Sequence, residues 1–401
     1  MSQSRLRHVL VLNQFALPRT EGGGTRHVEL FGRLRGWTSL IVAGNRNNYT
    51  RRKYHHRAPG FVTVPVTSYE GNGPKRILNW LSYTVGAIWV GLRQRHVDLV
   101  YASSPHLLTP LAGWFLAKVR RVPLVVEIRD LWPRSLVEFG FLREGSRLHR
   151  VLTAVEGFVY RQAARIVVVT TGWEDHFASF GLPPEKIVVV TNGAEPEDFV
   201  PTVDRDTARR ELDVDGTVLV FAGAHGPKDG LDVVLDAAAL VPNATFLLVG
   251  DGLEKKRLQQ RARDEGLKNV RFLDPRPKER LADLFVACDV GLHIVAPVEL
   301  FQKAMSPNKL YDYMAAGLPV ITNAGGAMER LVLEAGCGLS AFARPGSDPA
   351  RVLADCVEQL ADQPVDERAA IGRRGRDYVE RNASRTVMAA RLEDVLDAAT
   401  R

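Results

Sequence analysis

The chain has 401 residues, 45% of them apolar and 25% charged. That is enough to fill the cores of two domains, and it excludes a disordered or fibrous protein. Residues 1–200 carry 26 Lys and Arg against 15 Asp and Glu, and residues 201–401 carry 27 against 31, so the net charge of +7 arises in the first half. A one-sided positive field suits a polyanion such as an anionic membrane or a phosphorylated lipid, and ordinary solvation of a surface explains it equally well.

Cys288, Cys337 and Cys356 are scattered without CxxC spacing. This argues against a disulfide framework or a zinc site and fits a reducing cytoplasm. Met1-Ser2-Gln3-Ser4-Arg5 leads straight into a strand-like run and shows no signal-peptide pattern.

In chain order, His8–Leu12 reads as a buried strand, followed by Gly22-Gly23-Gly24 and a helical pattern from Thr25 to Arg35. Ser39–Ala43, Asp98–Ala102, Leu124–Ile128, Arg165–Val169 and Ile187–Val190 are further strands. The uncharged run Ile77–Leu92 lies between Lys75-Arg76 and Arg93/Arg95. At about 16 residues it falls short of the roughly 20 needed to cross a bilayer. Trp80, Trp89 and the basic flanks suit a helix lying at a membrane interface; a buried helix of the first domain is the alternative. Both hold if one face packs and the other docks.

The segment Pro196-Glu197-Asp198-Phe199-Val200-Pro201 reads as a linker, after which the pattern restarts. Strands are expected at Thr217–Phe221, Thr245–Val249, Val270–Leu273, Val290–Ile294 and Val320–Thr322, with a helix over Leu231–Leu240. The tail from Ala383 to Thr400 is an amphipathic helix with Val387, Leu392, Val395 and Leu396 on its apolar face. Val/Ile-rich strands separated by helices predict parallel sheets covered on both faces. The fold class is therefore α/β, with two doubly wound Rossmann-like domains facing a central cleft. Residues 1–195 are expected to form the first domain and 196–382 the second, with 383–401 a helix packing back on the first. Ligands of such sheets bind beyond the carboxyl ends of the strands.

The richest segment is Ser306-Pro307-Asn308-Lys309-Leu310-Tyr311-Asp312. Ser306 is a favoured N-cap and Pro307 suits the first helical position. The N–H groups of Asn308 and Lys309 then point at a diphosphate, and Asp312 lies one turn further in, where it could accept from a ribose. Gly22-Gly23-Gly24 either lets backbone approach a ligand or forms a flexible turn; it does not fit G-x-G-x-x-G. In the second-domain loop Ala222–Gly230, Lys228 is either a cation for a departing phosphate or a surface lysine. Arg276, in Asp274-Pro275-Arg276-Pro277, lies at the cleft edge or in a simple turn. His106, Arg129 and Asp130 follow first-domain strands and could bind or polarise acceptor hydroxyls. For Asp130, an ion pair with Arg129 or Arg134 is the alternative.

Taken together, these loops resemble the family 4 retaining glycosyltransferases of the GT-B fold over nearly the whole chain. Pro18…Gly22-Gly23-Gly24-Thr25-Arg26-His27-Val28 is similar to the family's glycine loop. Val190-Thr191-Asn192-Gly193-Ala194-Glu195…Phe199 is similar to its interdomain signature, and Leu310–Val320 to its donor helix. Glu127-Ile128-Arg129-Asp130-Leu131-Trp132-Pro133 and Ser306-Pro307-Asn308-Lys309 look like the WbuB-type subgroup. The family's two glutamates eight positions apart fall here at Ala304 and Asp312, so no carboxylate nucleophile is assigned. The usual Arg and Lys of the second-domain loop become His225 and Lys228.

The resemblance implies transfer from a UDP-sugar with retention, through same-face attack, to a lipid-linked or other glycan acceptor in surface-polysaccharide synthesis. It implies Gly23, Gly24, His225, Lys228, Arg276, Ser306, Asn308, Lys309, Leu310 and Asp312 at the donor, with Lys228, His106 and Asp130 as catalytic candidates. Neither metal nor cofactor is expected. The protein is expected in the cytoplasm, peripheral at the membrane's inner face through its basic first domain. A transferase acting on a soluble metabolite, a UDP-sugar 2-epimerase and a non-catalytic nucleotide-sugar-binding subunit share this outline. A nucleic-acid partner is disfavoured, because basic and aromatic residues are not interleaved on a module.

Overall fold

The computed structural model describes the chain apart from residues 1–5, 22, 23, 49, 51, 70, 72, 105, 139 and 304, and the side chains of Arg57, Glu279, Leu300 and Lys303. It divides into two compact units, Met1–Thr191 with Met388–Arg401, and Asn192–Val387. The boundary falls at residues 191/192, and the returning segment starts inside the last helix.

The first unit runs β1 (Arg7–Leu12), α1 (Arg26–Phe31), β2 (Trp37–Gly44), β3 (Arg57–Ala58), β4 (Phe61–Val64), α2 (Pro74–Arg93), β5 (Leu99–Ser104), α3 (Leu108–Arg120), β6 (Leu124–Ile128), α4 (Arg134–Glu138), α5 (Arg147–Gln162), β7 (Arg165–Val168), α6 (Glu174–Ala178) and β8 (Ile187–Val189). Its sheet has the order β3-β4-β2-β1-β5-β6-β7-β8 and is parallel except at the β3–β4 pair. After β1 the chain moves to β2 on one side and returns to β5 on the other, so the order reverses between β1 and β5. A ligand crevice is expected there. Helix α2 starts with Pro74 at its first turn and buries Asn79, Tyr83, Ala87, Val90 and Gly91 along one stripe. Its opposite stripe is exposed.

The second unit runs α7 (Arg205–Leu212), β9 (Thr217–Ala222), α8 (Asp232–Leu240), β10 (Ala244–Val249), α9 (Lys255–Asp264), β11 (Val270–Leu273), α10 (Leu281–Val286), β12 (Val290–His293), α11 (Glu299–Lys303), α12 (Asn308–Ala315), β13 (Val320–Thr322), α13 (Gly326–Glu334), β14 (Gly338–Ser340), α14 (Pro349–Ala361) and α15 (Val365–Tyr378). Its six strands are all parallel in the order β11-β10-β9-β12-β13-β14, which reverses between β9 and β12. Period-two alternation sends Leu219 and Phe221 to the face covered by Val234, Leu235, Leu353 and Val357.

On β12, Gly291 has no side chain because the Tyr313 ring of α12 lies where one would go; a Cβ would come within 2.4 Å of its Cγ. The expected linker 196–201 begins with the segment Pro196–Phe199. These residues form a 3-10 turn in which Phe199 is buried and stacks on Phe285 at 6.0 Å. Where the chain enters and leaves this unit, the backbone of Gly193 crosses that of Ala383 so closely that a Cβ would sit 1.9 Å from the Ala383 carbonyl oxygen.

The last helix, α16 (Arg385–Ala399), buries Met388, Leu392, Val395 and Leu396. In the first unit, Asp397 accepts from the Trp37 indole at 2.8 Å and pairs with Arg7, while Glu393 accepts from the N–H groups of Arg35 and Gly36. Because Gly291 fixes how closely α12 approaches the sheet, Gly291→Ala is expected to lower the unfolding free energy by about 1–3 kcal/mol in urea titrations, through overpacking against Tyr313.

Candidate active site

At the β9–β12 reversal, Gly223 follows β9 and His293 ends β12. Helix α12 begins beside them. Its second residue, Lys309, turns its ammonium inward: Nζ lies 2.8 Å from Asp229 Oδ1 and 3.8 Å from the centre of the Phe221 ring. A Cβ on Gly223 would come within 2.8 Å of that Nζ, so glycine is what leaves room for the cation. Burial lowers the Lys309 pKa and Asp229 opposes the shift. One turn later, the Tyr313 phenol accepts the Ala222 N–H at 2.7 Å.

Two histidines flank this cation. His293 is fully buried, with Nδ1 2.8 Å from Thr322 Oγ1. Burial, assisted by Lys309, pushes its pKa down to about 3. His225 is also buried, and neither ring nitrogen has a partner among the described residues. Its pKa falls to about 4 through burial and the charge of Lys255. Leaving a buried polar group unbonded costs about 1–3 kcal/mol, so this loop carries a local destabilisation.

In the first unit, the β1–β5 crevice holds Gln14 and His106. Gln14 Oε1 lies 2.6 Å from His106 Nε2, and Gln14 Nε2 donates to Asn79 Oδ1 at 2.6 Å. An amide oxygen can only accept, so Nε2 carries the proton. Trp80 stacks on the ring at 4.9 Å, and burial together with Arg76 pushes the His106 pKa down to about 3.

Deeper in this unit, Glu127 of β6 is wholly buried. It receives Arg26 Nε at 3.0 Å and His27 Nε2 at 2.6 Å. Asn13 Nδ2 reaches His27 Nδ1 at 2.9 Å, which fits a neutral imidazole that accepts on Nδ1 and donates from Nε2. Burial alone would raise the Glu127 pKa; His27 and Arg26 outweigh it and hold the carboxyl well below its usual range. The remaining Arg26 N–H groups reach the carbonyls of Thr191 and Val190, both at 2.6 Å.

Residues 22–193 match the Glycosyl transferase 4-like domain and residues 216–363 match Glycosyl transferases group 1. The chain is 30% identical to D-inositol 3-phosphate glycosyltransferase 1 of Catenulispora acidiphila over 71% of its own length and 69% of that protein's. It is 25% identical to the probable glycosyltransferase WbjE of Pseudomonas aeruginosa, over 67% and 68%. The chain belongs to this glycosyltransferase family. Its fold is similar to that of Anabaena HepE, solved in complex with UDP-glucose, with a TM-score of 0.70 at 19% identity over 98% of this chain and 99% of that one.

The glycosyltransferase gathers Asn308, Lys309 and Asp312 on α12, with Asn308 exposed and Asp312 half-buried. Ser306 does not cap the helix. Pro307 takes the N-cap position with extended backbone, and Ser306 Oγ accepts the Asn192 N–H at 3.2 Å. Leu310 is wholly buried. Lys228 is exposed, 5.5 Å from the Phe301 ring centre. Arg276 is exposed beyond β11, two strands away from the crevice strand β9.

Gly23 and Ala304 lie outside the described residues. Gly24 turns back on residues 15–17, with its carbonyl accepting the Leu17 N–H at 3.2 Å. His106, expected as an acceptor-binding or catalytic group, is buried against the Trp80 ring and bonded to Gln14, and burial favours its neutral form. Arg129 is half-buried, and Asp130 is exposed with no ion-pair partner among the described residues; Arg134 pairs instead with Glu138.

Among the described residues, no group of three or more His, Cys, Asp or Glu could hold a metal ion. Sequence reasoning missed Asp229, Phe221, His293, Gln14 and the Arg26–Glu127–His27 cluster. A glutamate inside the apolar run Leu124–Ile128 was the available signal, since a buried carboxylate demands a partner.

His293 binds its proton less readily in the folded state than at its ordinary value of 6.5. Stability is therefore complete above pH 6.5 and is lost as pH falls toward the folded value. Between pH 7 and 5, His293→Gln is expected to lose about 2 kcal/mol less unfolding free energy than the parent in urea titrations.

Proposed function

We propose that this glycosyltransferase moves a sugar, an N-acetylated amino-sugar in our reading, from UDP to a lipid-linked glycan acceptor in surface-polysaccharide synthesis, with retention at the anomeric carbon. One observation carries the donor part of the reading. A helix N-terminus and a desolvated lysine meet at the carboxyl ends of β9 and β12, where the strand order reverses. Both features favour a diphosphate: the open N–H groups at the start of α12 point to anions, and Lys309, held by Asp229, sets an ammonium donor beside them. The complex of HepE with UDP-glucose supports a nucleotide-sugar donor, and the likeness to WbjE supports glycosyl transfer.

In this reading Asn308 and Lys309 N–H groups hold the phosphates, and Asp312 accepts from the ribose. Lys309 and Lys228 supply the positive charge that the leaving UDP needs as the glycosidic C–O bond breaks. Ala304 and Asp312 stand where the resembled family has its glutamate pair, so this reading assigns no carboxylate nucleophile: the acceptor attacks the face from which UDP departs, and the leaving phosphate oxygen takes its proton. Arg129 and Asp130 bind the acceptor. The charge stabilisation is assigned to protein groups, and metal independence follows as part of the proposal.

A thermal-shift panel tests the donor. UDP or its cognate sugar nucleotide at 100 times Kd should add about 2.7 kcal/mol of stability. Asp312→Ala should raise the donor KM with kcat little changed, because a ribose contact is alike in the ground and transition states. An unaltered KM removes that role.

Lys228→Ala should lower kcat by the about 3 kcal/mol typical of one lost charge-stabilising donor, measured with saturating donor. A folded variant with intact kcat would place the cation elsewhere.

A further inference from the structure

We propose that the outer face of α2 and α3 is a docking surface for an anionic phospholipid bilayer. This deepens the lipid-linked acceptor reading, on which it rests for its purpose, while standing on different residues. Along α2, Leu81, Val85, Trp89 and Leu92 recur every three to four residues and are 45–67% exposed. They form the stripe opposite the buried one. Helix α3 packs beside α2 and adds Phe115 and Val119, 39% and 53% exposed.

Exposed large hydrophobics elsewhere are scattered. Among the described residues, ten of seventeen lie on α2, α3 and the adjacent α5, and none of the others forms a comparable stripe on one helix. Single exposed apolar residues are ordinary, whereas a contiguous patch marks an interaction surface.

Charge selects the occupant. Between Pro74 and Arg121 there are seven Lys and Arg against a single acidic residue, Asp98, which accepts the His8 N–H. The cations sit at the ends of the apolar stripe, with Lys75 and Arg76 at one end of α2 and Arg93 and Arg95 at the other. The Arg93 guanidinium lies 3.6 Å from the centre of the Trp89 ring, an amphipathic pair suited to the headgroup level.

Beside Leu92 and Val119, a groove of about 470 Å³ is lined by Arg95, His96, Asp98 and Arg120, which fits a phosphodiester headgroup. A second protein copy would bring the same cations face to face and repel. No helix among the described residues is long and apolar enough to cross a membrane, so the contact is interfacial.

The surface also has a direction. Twenty residues make α2 about 30 Å long. At its amino end, Trp80 stacks on His106 and meets Trp132 edge-on at 5.4 Å. His106 follows the carboxyl end of β5, so one end of the docked face adjoins the crevice edge of the first unit. A lipid-borne acceptor can reach Arg129 and Asp130 without leaving the bilayer surface.

The test is co-sedimentation of the full chain with phosphatidylcholine vesicles, with and without phosphatidylglycerol. Binding is expected only to the anionic vesicles and should weaken about fivefold for each of Arg93→Gln and Arg95→Gln. The doubly substituted Val85→Glu, Trp89→Glu protein should bind at least about tenfold more weakly, with an unchanged melting temperature and an unchanged thermal shift by UDP. No sedimentation with anionic vesicles at low salt overturns the proposal, as does undiminished binding by the double variant. A self-association that the double variant abolishes also overturns it, since a second copy would then cover the face. UDP binding without vesicle binding sinks this surface alone; vesicle binding without a UDP response sinks the donor reading and leaves the surface.

Discussion

An ammonium group taken out of water needs a carboxylate beside it, and the second unit meets this requirement at Lys309. Lys309 rests on the Phe221 ring with Asp229 at 2.8 Å. Much of the local design follows from it. Gly223 must lack a side chain, or the ammonium would have no room. Helix α12 must start at Asn308, so that its second residue reaches inward while its open N–H groups face the same crevice. Four residues on, Tyr313 occupies the same face of the helix, as the α-helical period requires. Its phenol holds the Ala222 N–H, and its ring fills the space that Gly291 leaves on β12. One charge, two glycines and one tyrosine thus set the position of the helix.

The first unit solves a related problem with a permanent charge. Glu127 sits in the middle of the sheet, and Arg26 cannot give up its proton, so the carboxylate stays ionised despite burial. His27 can then remain neutral and act purely through hydrogen bonds. The same guanidinium binds the carbonyls at the end of this unit's last strand. The residues that resemble the family's glycine loop, its Glu127 segment and its interdomain signature are therefore parts of one buried network. Removing any member would leave a charge or a donor without a partner, which is far costlier than the network's net contribution.

The parallel strands were legible because Val/Ile runs between helices admit few other arrangements. Leu124–Ile128 and Val320–Thr322 match their strands end to end. The two-residue β3 and the short edge strand β14 were not legible, since so few residues carry no period. Asn308, Lys309 and Asp312 were readable as a helix start, but the cap was not. Whether Ser306 or Pro307 closes the helix depends on a long-range bond from Asn192. The surroundings of His106 were hidden for a similar reason. Its place after a strand was visible, but the Trp80 ring lying over it comes from a helix more than twenty residues away in sequence. For α2, sequence weighed packing against docking, and the structure divides the helix between a buried and an exposed stripe.

The two units also differ in how they spend their cations. In the second, Arg257 and Arg261 interlock with Asp232, Asp236, Glu254 and Glu265, while Arg205, Arg209 and Arg368 converge on Asp289. Paired charges a few ångströms apart cancel beyond a Debye length of about 8 Å, so these side chains add little to the distant field. In the first, the stretch from Pro74 to Arg121 has seven cations and one carboxylate, so that segment carries a net positive charge. The positive charge visible in composition thus includes a cationic segment on helices whose outer faces are apolar. A field that draws in anions and a surface that prefers to leave water act on the same face, so each strengthens the other's effect at an anionic interface.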